Sequence, residues 1–395
     1  MPDTSAGRGP ERVPITTVAR EWGRIGCIGF GGPPAHISLL RRLCVTQRGW
    51  LSPAEFEDGI AATNLLPGPA STQLAIFCAW RLRGAAGALI GGVCFIAPGL
   101  VLILALAALF LASHPPSQVR GAAAGAGAAV AAVALSAALG LLPPSWRRAG
   151  PRPGEPARWN AYATSGAAAA ALIGPFLVLV LLGAGVVEIS ARRGWPRARA
   201  KLHSVGGSPL LLAAAASAAG IGALVWEAFK VGALSYGGGF VIIPLMQTDV
   251  VHVYHWMSGA QFLNAVALGQ ITPGPVVQTV AAVGYAAAGL GGGLLAALVA
   301  FAPSFGFVLI GARHFDRIRG SAAVQAFLSG AGPAAIGAIA GSAIPLGLAL
   351  THLWQLAVLG GALLWMVALR RNVVVGLVGA ALLGVGASLL GLGVT

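Results

Sequence analysis

Two Pro-Gly-Pro triplets, Pro67-Gly68-Pro69 and Pro273-Gly274-Pro275, interrupt apolar stretches and are followed by polar side chains: Ser71, Thr72 and Gln73 after the first, Gln278 and Thr279 after the second. Gln270 stands just ahead of the second triplet. A helix that restarts after such a triplet, with Pro69 or Pro275 suited to its first turn, leaves free backbone N–H groups and a positive dipole end. Two such starts approaching from opposite sides could cradle an oxyanion. The glycine turns Gly29-Phe30-Gly31-Gly32-Pro33 and Ser235-Tyr236-Gly237-Gly238-Gly239 would let backbone approach a ligand or bind it through N–H groups. Tight helix packing is their alternative use. Gly121-x-x-x-Gly125 has no comparable partner motif in the sequence and reads as packing.

Ionisable residues inside apolar segments are costly and usually functional. Arg24 and Lys230 each precede a glycine turn, where a cation would attract an anion; a side chain snorkelling from a helix end is the other reading. His36 could titrate near neutral pH, or be a satisfied structural histidine. Asp58, Glu227 and Asp249 join His36 as candidates for proton coupling. Against a symmetric relay, Glu55, Glu57 and Asp58 have Gln261, Leu263 and Asn264 as counterparts in the second half. His252 and His255 lack a nearby third ligand, so no metal site is expected. Cys27, Cys44, Cys78 and Cys94 form no C-x-x-C pair and read as reduced core residues.

The elements that must position these residues are lipid-embedded helices. Of 395 residues, 57% are hydrophobic and 9% charged, with ten Trp and a mean hydropathy of +0.81. Soluble domains carry about 25% charged residues. The net charge of +14 comes from short Lys/Arg clusters between apolar stretches, so positive-inside loops explain it and nucleic acid is not an expected partner. Residues 1–21 are polar, without the apolar core of a cleaved signal peptide. Complete crossings are expected at about 84–113, 119–142, 289–312 and 322–349, each long enough to span. The segments 22–40, 54–80, 160–189 and 260–285 are interrupted at Gly31–Pro34, Pro67–Pro69, Gly174-Pro175 and Pro273–Pro275. Non-helical backbone at membrane depth must be buried in protein or line a wet cavity.

Sliding the chain against itself by 206 positions exposes an internal repeat. Gly26 falls on Gly232, Gly31-Gly32 on Gly237-Gly238, Trp50 on Trp256, Ser52 on Ser258, Phe56 on Phe262 and one Pro-Gly-Pro on the other. At 205 the match continues, Gly84 on Gly289 and Gly125-Ala126-Gly127 on Gly330-Ala331-Gly332. The organisation read from this is a polar segment 1–21, a first repeat 22–190, a basic cytoplasmic linker 191–207, an apolar connection 208–227 and a second repeat 228–395. Loops rich in Arg in one half (41–48, 81–83) have counterparts without Lys or Arg in the other (248–258, 286–289), and the turn at 313–320 gains the Arg that 114–120 mostly lacks. Under the positive-inside rule this predicts an all-α polytopic membrane protein of two halves in inverted topology, with broken or re-entrant helices meeting near the bilayer midplane. Secondary transporters have that architecture.

The motifs Gly31-Gly32-Pro33-Pro34-Ala35-His36, Trp50-Leu51-Ser52 and Leu65-Leu66-Pro67-Gly68-Pro69-Ala70-Ser71-Thr72-Gln73, with Tyr236-Gly237-Gly238-Gly239-Phe240, Pro244-Leu245 and Gln270-Ile271-Thr272-Pro273-Gly274-Pro275, resemble the two signatures of the chromate transporter family. Gly269 and Ser235-Tyr236 depart from its usual pattern conservatively. The resemblance covers nearly the whole chain beyond residue 20. It implies the long two-domain form, a multi-pass protein of the bacterial inner membrane that exports chromate or a similar tetrahedral oxyanion such as sulfate. No cofactor is implied; the expected partners are the oxyanion, the lipid bilayer and, optionally, a second copy of the chain in a homodimer. An importer or an anion channel would share the same site. An intramembrane enzyme is disfavoured because there is no H-E-x-x-H, G-x-S-x-G or acidic pair on a spanning helix.

Overall fold

A computed structural model describes residues 13–64, 66–112, 115–149, 154–173, 177–193, 220–235, 240–311 and 321–393. The described part is helical throughout. The first half contains α1 (Ile15–Ile28), α2 (Pro33–Arg41), α3 (Pro53–Thr63), α4 (Ala70–Phe110), α5 (Ser117–Ala128), α6 (Val130–Ala149), α7 (Glu155–Ala168) and α8 (Leu177–Arg193). The second contains α9 (Ile221–Leu234), α10 (Ile242–Thr248), α11 (Gly259–Ile271), α12 (Thr279–Gly311), α13 (Ala322–Leu348), α14 (Leu353–Leu363) and α15 (Val373–Leu389). Four stretches are long and apolar enough to cross a membrane: Ala70–Phe110, Ser117–Arg147, Val276–Gly311 and Ala322–Leu348. Gly174 and Pro175, the expected bend of 160–189, lie outside the described residues.

Local signals recur at the repeat spacing. Helices α1 and α9 have equal length and begin at Ile15 and Ile221, so residues 15–21 and 221–227 are helical parts of the two units. Ser52 caps α3 in a capping box with Glu55, and Ser258 caps α11 in one with Gln261; each satisfies first-turn N–H groups. Both triplets break the helix at a glycine with positive φ, 109° at Gly68 and 97° at Gly274.

A second pair of breaks folds α4 and α12 back on themselves. At Arg83-Gly84 and Ala288-Gly289 the backbone leaves helical geometry, with φ of 59° at Gly84 and 64° at Gly289. A Cβ on Gly91 would lie 2.5 Å from that of Ala79, and one on Gly284 2.7 Å from that of Ala296; in a straight helix such residues are about 18 Å apart. Each of these helices therefore has a short first arm (70–82, 279–287) and a long second arm (85–110, 290–311). The first arm of α4 pairs with α3 as a hairpin whose open ends are tied by the Arg81–Glu55 ion pair, while Arg41–Glu57 (2.6 Å) ties α2 to α3.

The long second arms pack directly together. Gly92 faces the Phe305 ring and Gly293 faces Leu104, so the arms run antiparallel. Each hairpin tip sits on the other unit's second arm, Gly68 beside Ser304 and Pro273 O against Gly99, with Gly68 also beside the Gly232 carbonyl of α9. Since 68 corresponds to 274 and 99 to 304, the contacts are those of a two-fold exchange of the halves.

The remaining helices interlock across the repeat. Helix α5 packs on α15 and α13 on α6, α7 and α8. The partner for Gly121-x-x-x-Gly125, not evident in the sequence, is Ala380-x-x-x-Gly384: a Cβ on Gly125 would strike Ala380 O, and one on Gly384 would strike Gly121 O. Small residues drive such association by letting backbones approach. Gly125→Leu is expected to separate α5 from α15 and cost well over the ~1–3 kcal/mol of ordinary overpacking. Loss of the monodisperse peak in size-exclusion chromatography checks this.

Candidate functional site

The first triplet lies between the end of α3 at Thr63 and the start of α4 at Ala70. Pro69 is the N-cap of α4, with Ala70 its first residue, and Pro275 likewise precedes a short 3-10 turn, Val276–Gln278, that leads into α12. Both prolines thus stand one position ahead of the first turn expected for them. No side chain caps α4; Thr72 N and Gln73 N donate to Pro69 O, both at 3.0 Å. The N–H groups of Ala70 and Ser71 precede the first intrahelical bonds.

Behind the tips, His36 ties the pieces together. Gly29 O can only accept, so His36 Nε2–H donates to it (2.9 Å) and Nδ1 accepts from the Ser71 hydroxyl (3.2 Å). Gly29 O also accepts from Gly274 N–H (3.0 Å). Through Gly29, His36 and Ser71 of the first half hold the tip of the second. His36 is fully buried against Phe95.

Buried polar atoms without a hydrogen-bond partner among the described residues gather at both tips: Thr72 Oγ1, Gln73 Oε1, Gln270 Nε2, Gln278 Oε1 and Ser304 Oγ. Gln73 Nε2 donates to Pro67 O (2.6 Å) and Gln278 Nε2 to Ile96 O (2.9 Å). These amides brace the tips, Gln73 within its own hairpin and Gln278 against the other unit. Pro275, the N-cap that leads to Gln278, is fixed by the same brace.

Beside the first tip lies a cavity of about 490 Å³. Its described wall includes Gly31, Pro33, Thr63, Asn64, Gly68 and Ala70, closed by Phe240, by α6 around Gly140 and by α13 around Ile336. No charged side chain belongs to that wall. The starts of α2 and α4 both open on it; Pro33 and Pro34 lack N–H groups, so the donors there come from α4 and the Gly31-Gly32 backbone.

Of the residues singled out in the sequence, Gly31, Pro33 and Gly68 line the cavity, with Gly32 between the first two. Pro69, Ser71, Thr72, Gln73 and His36 are buried behind it, and Pro67 is exposed at the tip. Gln270, Pro273, Gly274, Pro275 and Gln278 form the equivalent layer of the second half. Tyr236, Gly237, Gly238 and Gly239 lie outside the described residues. Arg24 and Lys230 are not in the described wall. Each pairs with the Glu three residues before it, Arg24 with Glu21 (3.1 Å) and Lys230 with Glu227 (2.7 Å). Glu21 also binds Arg48 (3.1 Å) and Lys230 also binds Asp249, so the first cluster carries an extra cation and the second an extra acid. Asp58 sits on the exposed face of α3. Asn64, Gly99 and Ser304 went unnoticed in the sequence. Yet the repeat register points to Asn64, because its counterpart is Gln270.

Broken helices, paired tips and a cavity beside the first of them mark a multi-pass membrane protein of the transporter type, built from two similar units. The chain matches the family model described as chromate transporter over residues 16–189 and 222–385, and it belongs to the chromate transporter family. It is 32% identical to a chromate transport protein of Cupriavidus metallidurans, over 87% of this chain and 86% of that one. It is 30% identical to a probable chromate transport protein of Synechococcus elongatus (82% of each) and 29% identical to a chromate transport protein of Pseudomonas aeruginosa (82% and 79%). No solved structure matches it.

Proposed function

We propose that this protein exports chromate, or a similar tetrahedral oxyanion such as sulfate, across the bacterial inner membrane by alternating access between two inverted halves. The observation that carries the reading is the cavity at the starts of α2 and α4, whose described wall contains no acidic side chain. A dianion there gains from helix-dipole ends and backbone N–H groups in a low-dielectric setting. The names of the relatives supply chromate as the substrate.

Topology supports the same reading. Arg41 and Arg48 ahead of the α3–α4 hairpin and Arg81 and Arg83 at its end support a cytoplasmic base for it under the positive-inside rule. The eleven residues of α3 rise about 16 Å, roughly half the ~30 Å hydrocarbon thickness, so the tip reaches mid-depth. Antiparallel second arms agree with inversion of one half relative to the other. Pro144 in the cavity wall lies three residues before Arg147, which supports a mouth toward the cytoplasm.

At 100 mV, inside negative, outward movement of a dianion releases roughly 4.6 kcal/mol, about 2.3 per charge, so export needs no coupling ion. Everted vesicles containing the protein are expected to accumulate labelled chromate under a lumen-positive potential. Accumulation no greater than in vesicles lacking the protein would refute export.

A further inference from the structure

We propose a second oxyanion site, an exit vestibule built around Arg120 at the opposite end of the α5–α6 span from the cytoplasmic cavity. It rests on the export reading and deepens it. A cavity of about 450 Å³ is lined there by Arg120, Ser258, Gln261, Asn264, Thr351 and Gln355 among others, with no acidic side chain in its described wall. The two cavities share no lining residue, the first reaching α6 from Ala137 to Pro144 and the second α5 from Arg120 to Gly127.

The amides have fixed polarity. Gln261 Oε1 accepts from Ser258 N (2.9 Å), and Gln355 Oε1 accepts from Thr351 N (2.9 Å) and His352 N (3.0 Å). With both carbonyl oxygens committed to backbone, the NH₂ group is what each side chain has left to offer a ligand. Asn264 Oδ1 faces α5, 3.0 Å from where a Cβ on Gly127 would stand. Arg120 makes no ion pair among the described residues. A guanidinium outside any ion pair, in one wall with these amide donors, suits a tetrahedral oxyanion.

Comparison of the halves shows what made the site. The positions equivalent to Gln261 and Asn264 are Glu55 and Asp58, and Glu55 is held by Arg81. Where the first half keeps carboxylates, the second has amides of nearly the same shape, and Arg120 of α5 lines the same cavity. The exchange converts an acidic locus into a donor-rich one without disturbing the capping box, which Glu55 and Gln261 form alike.

The test is equilibrium dialysis of purified full-length protein against radiolabelled chromate, with vesicle accumulation measured in parallel. Wild type is expected to bind two equivalents. Arg120→Gln and the double variant Gln261→Glu/Asn264→Asp are each expected to weaken one of the two by about tenfold or more and to leave the other intact. Arg120 is exposed and Glu supports the same capping box, so both variants should fold. Variants that bind two equivalents with wild-type affinity overturn the vestibule while leaving export standing. Absence of both binding and accumulation in wild type overturns export, and the vestibule with it.

Discussion

Gly68→Ala is expected to reduce chromate accumulation in everted vesicles by at least tenfold while the protein still inserts and remains monodisperse. Gly68 has φ of 109°, a region that costs a residue with a Cβ about 1–3 kcal/mol. The added methyl would stand 2.7 Å from Gln73 Nε2 and 3.1 Å from the Gly232 carbonyl. Gln73 cannot swing aside without giving up its bond to Pro67 O at 2.6 Å. Relief must come from moving the tip away from the second half, which opens the cavity wall and turns the start of α4 out of line. Gly274→Ala meets the same obstacle, with Gln278 Nε2 3.0 Å from the new Cβ. Gly183→Ala, where a Cβ meets nothing within 4 Å, is the control and should transport normally. Normal transport by Gly68→Ala would remove the tip from the mechanism.

Lys230→Met is expected to act through folding. Glu227 is fully buried and Lys230 nearly so; the ammonium is shared by Glu227 and Asp249. Removing one partner of a buried ion pair costs about 3–5 kcal/mol because the other charge stays behind. Most of the variant should be lost from the monodisperse fraction, and Glu227→Gln/Lys230→Met should recover a good part of it. Arg24→Met is expected to cost under about 1 kcal/mol, since Arg24 is half exposed and Glu21 keeps Arg48. A Lys230→Met protein that folds like wild type but binds chromate at least tenfold more weakly would return Lys230 to the anion site.

The contrast between these cations shows where sequence reasoning stopped short. Both stood out as charges in apolar segments, and the attraction of an anion was a sound inference from that fact alone. The i,i+3 spacing to Glu21 and Glu227 also lay in the sequence, and on a helix it puts the pair on one face. Which charge a cation answers to depends on what else is within reach, and Arg48 and Asp249 arrive from elements 24 and 19 residues further along the chain. His36 is a parallel case. Its partners Gly29 and Ser71 are each in a flagged motif, but their convergence on one ring needs α2 and α4 folded together.

What the sequence determined by itself is set by local and periodic chemistry. Apolar run lengths gave the four candidate spans, Pro-Gly-Pro gave the breaks at 67–69 and 273–275, and the 206-residue offset paired the capping boxes and the helices α1 and α9. Each of these depends on residues within a turn or two of one another, or on a direct comparison of two strings. The tertiary structure decided what those pieces meet: the fold-back at Gly84 and Gly289, the seating of each tip on the opposite unit's second arm, and the selection of Asn64 in place of Arg24 for the cavity. The fold-back brings together residues a dozen apart that a straight helix would separate, and the seating of the tips depends on surfaces from opposite halves of the chain. A glycine such as Gly99 becomes legible only when Pro273 and Gln278 occupy the space that its missing Cβ leaves.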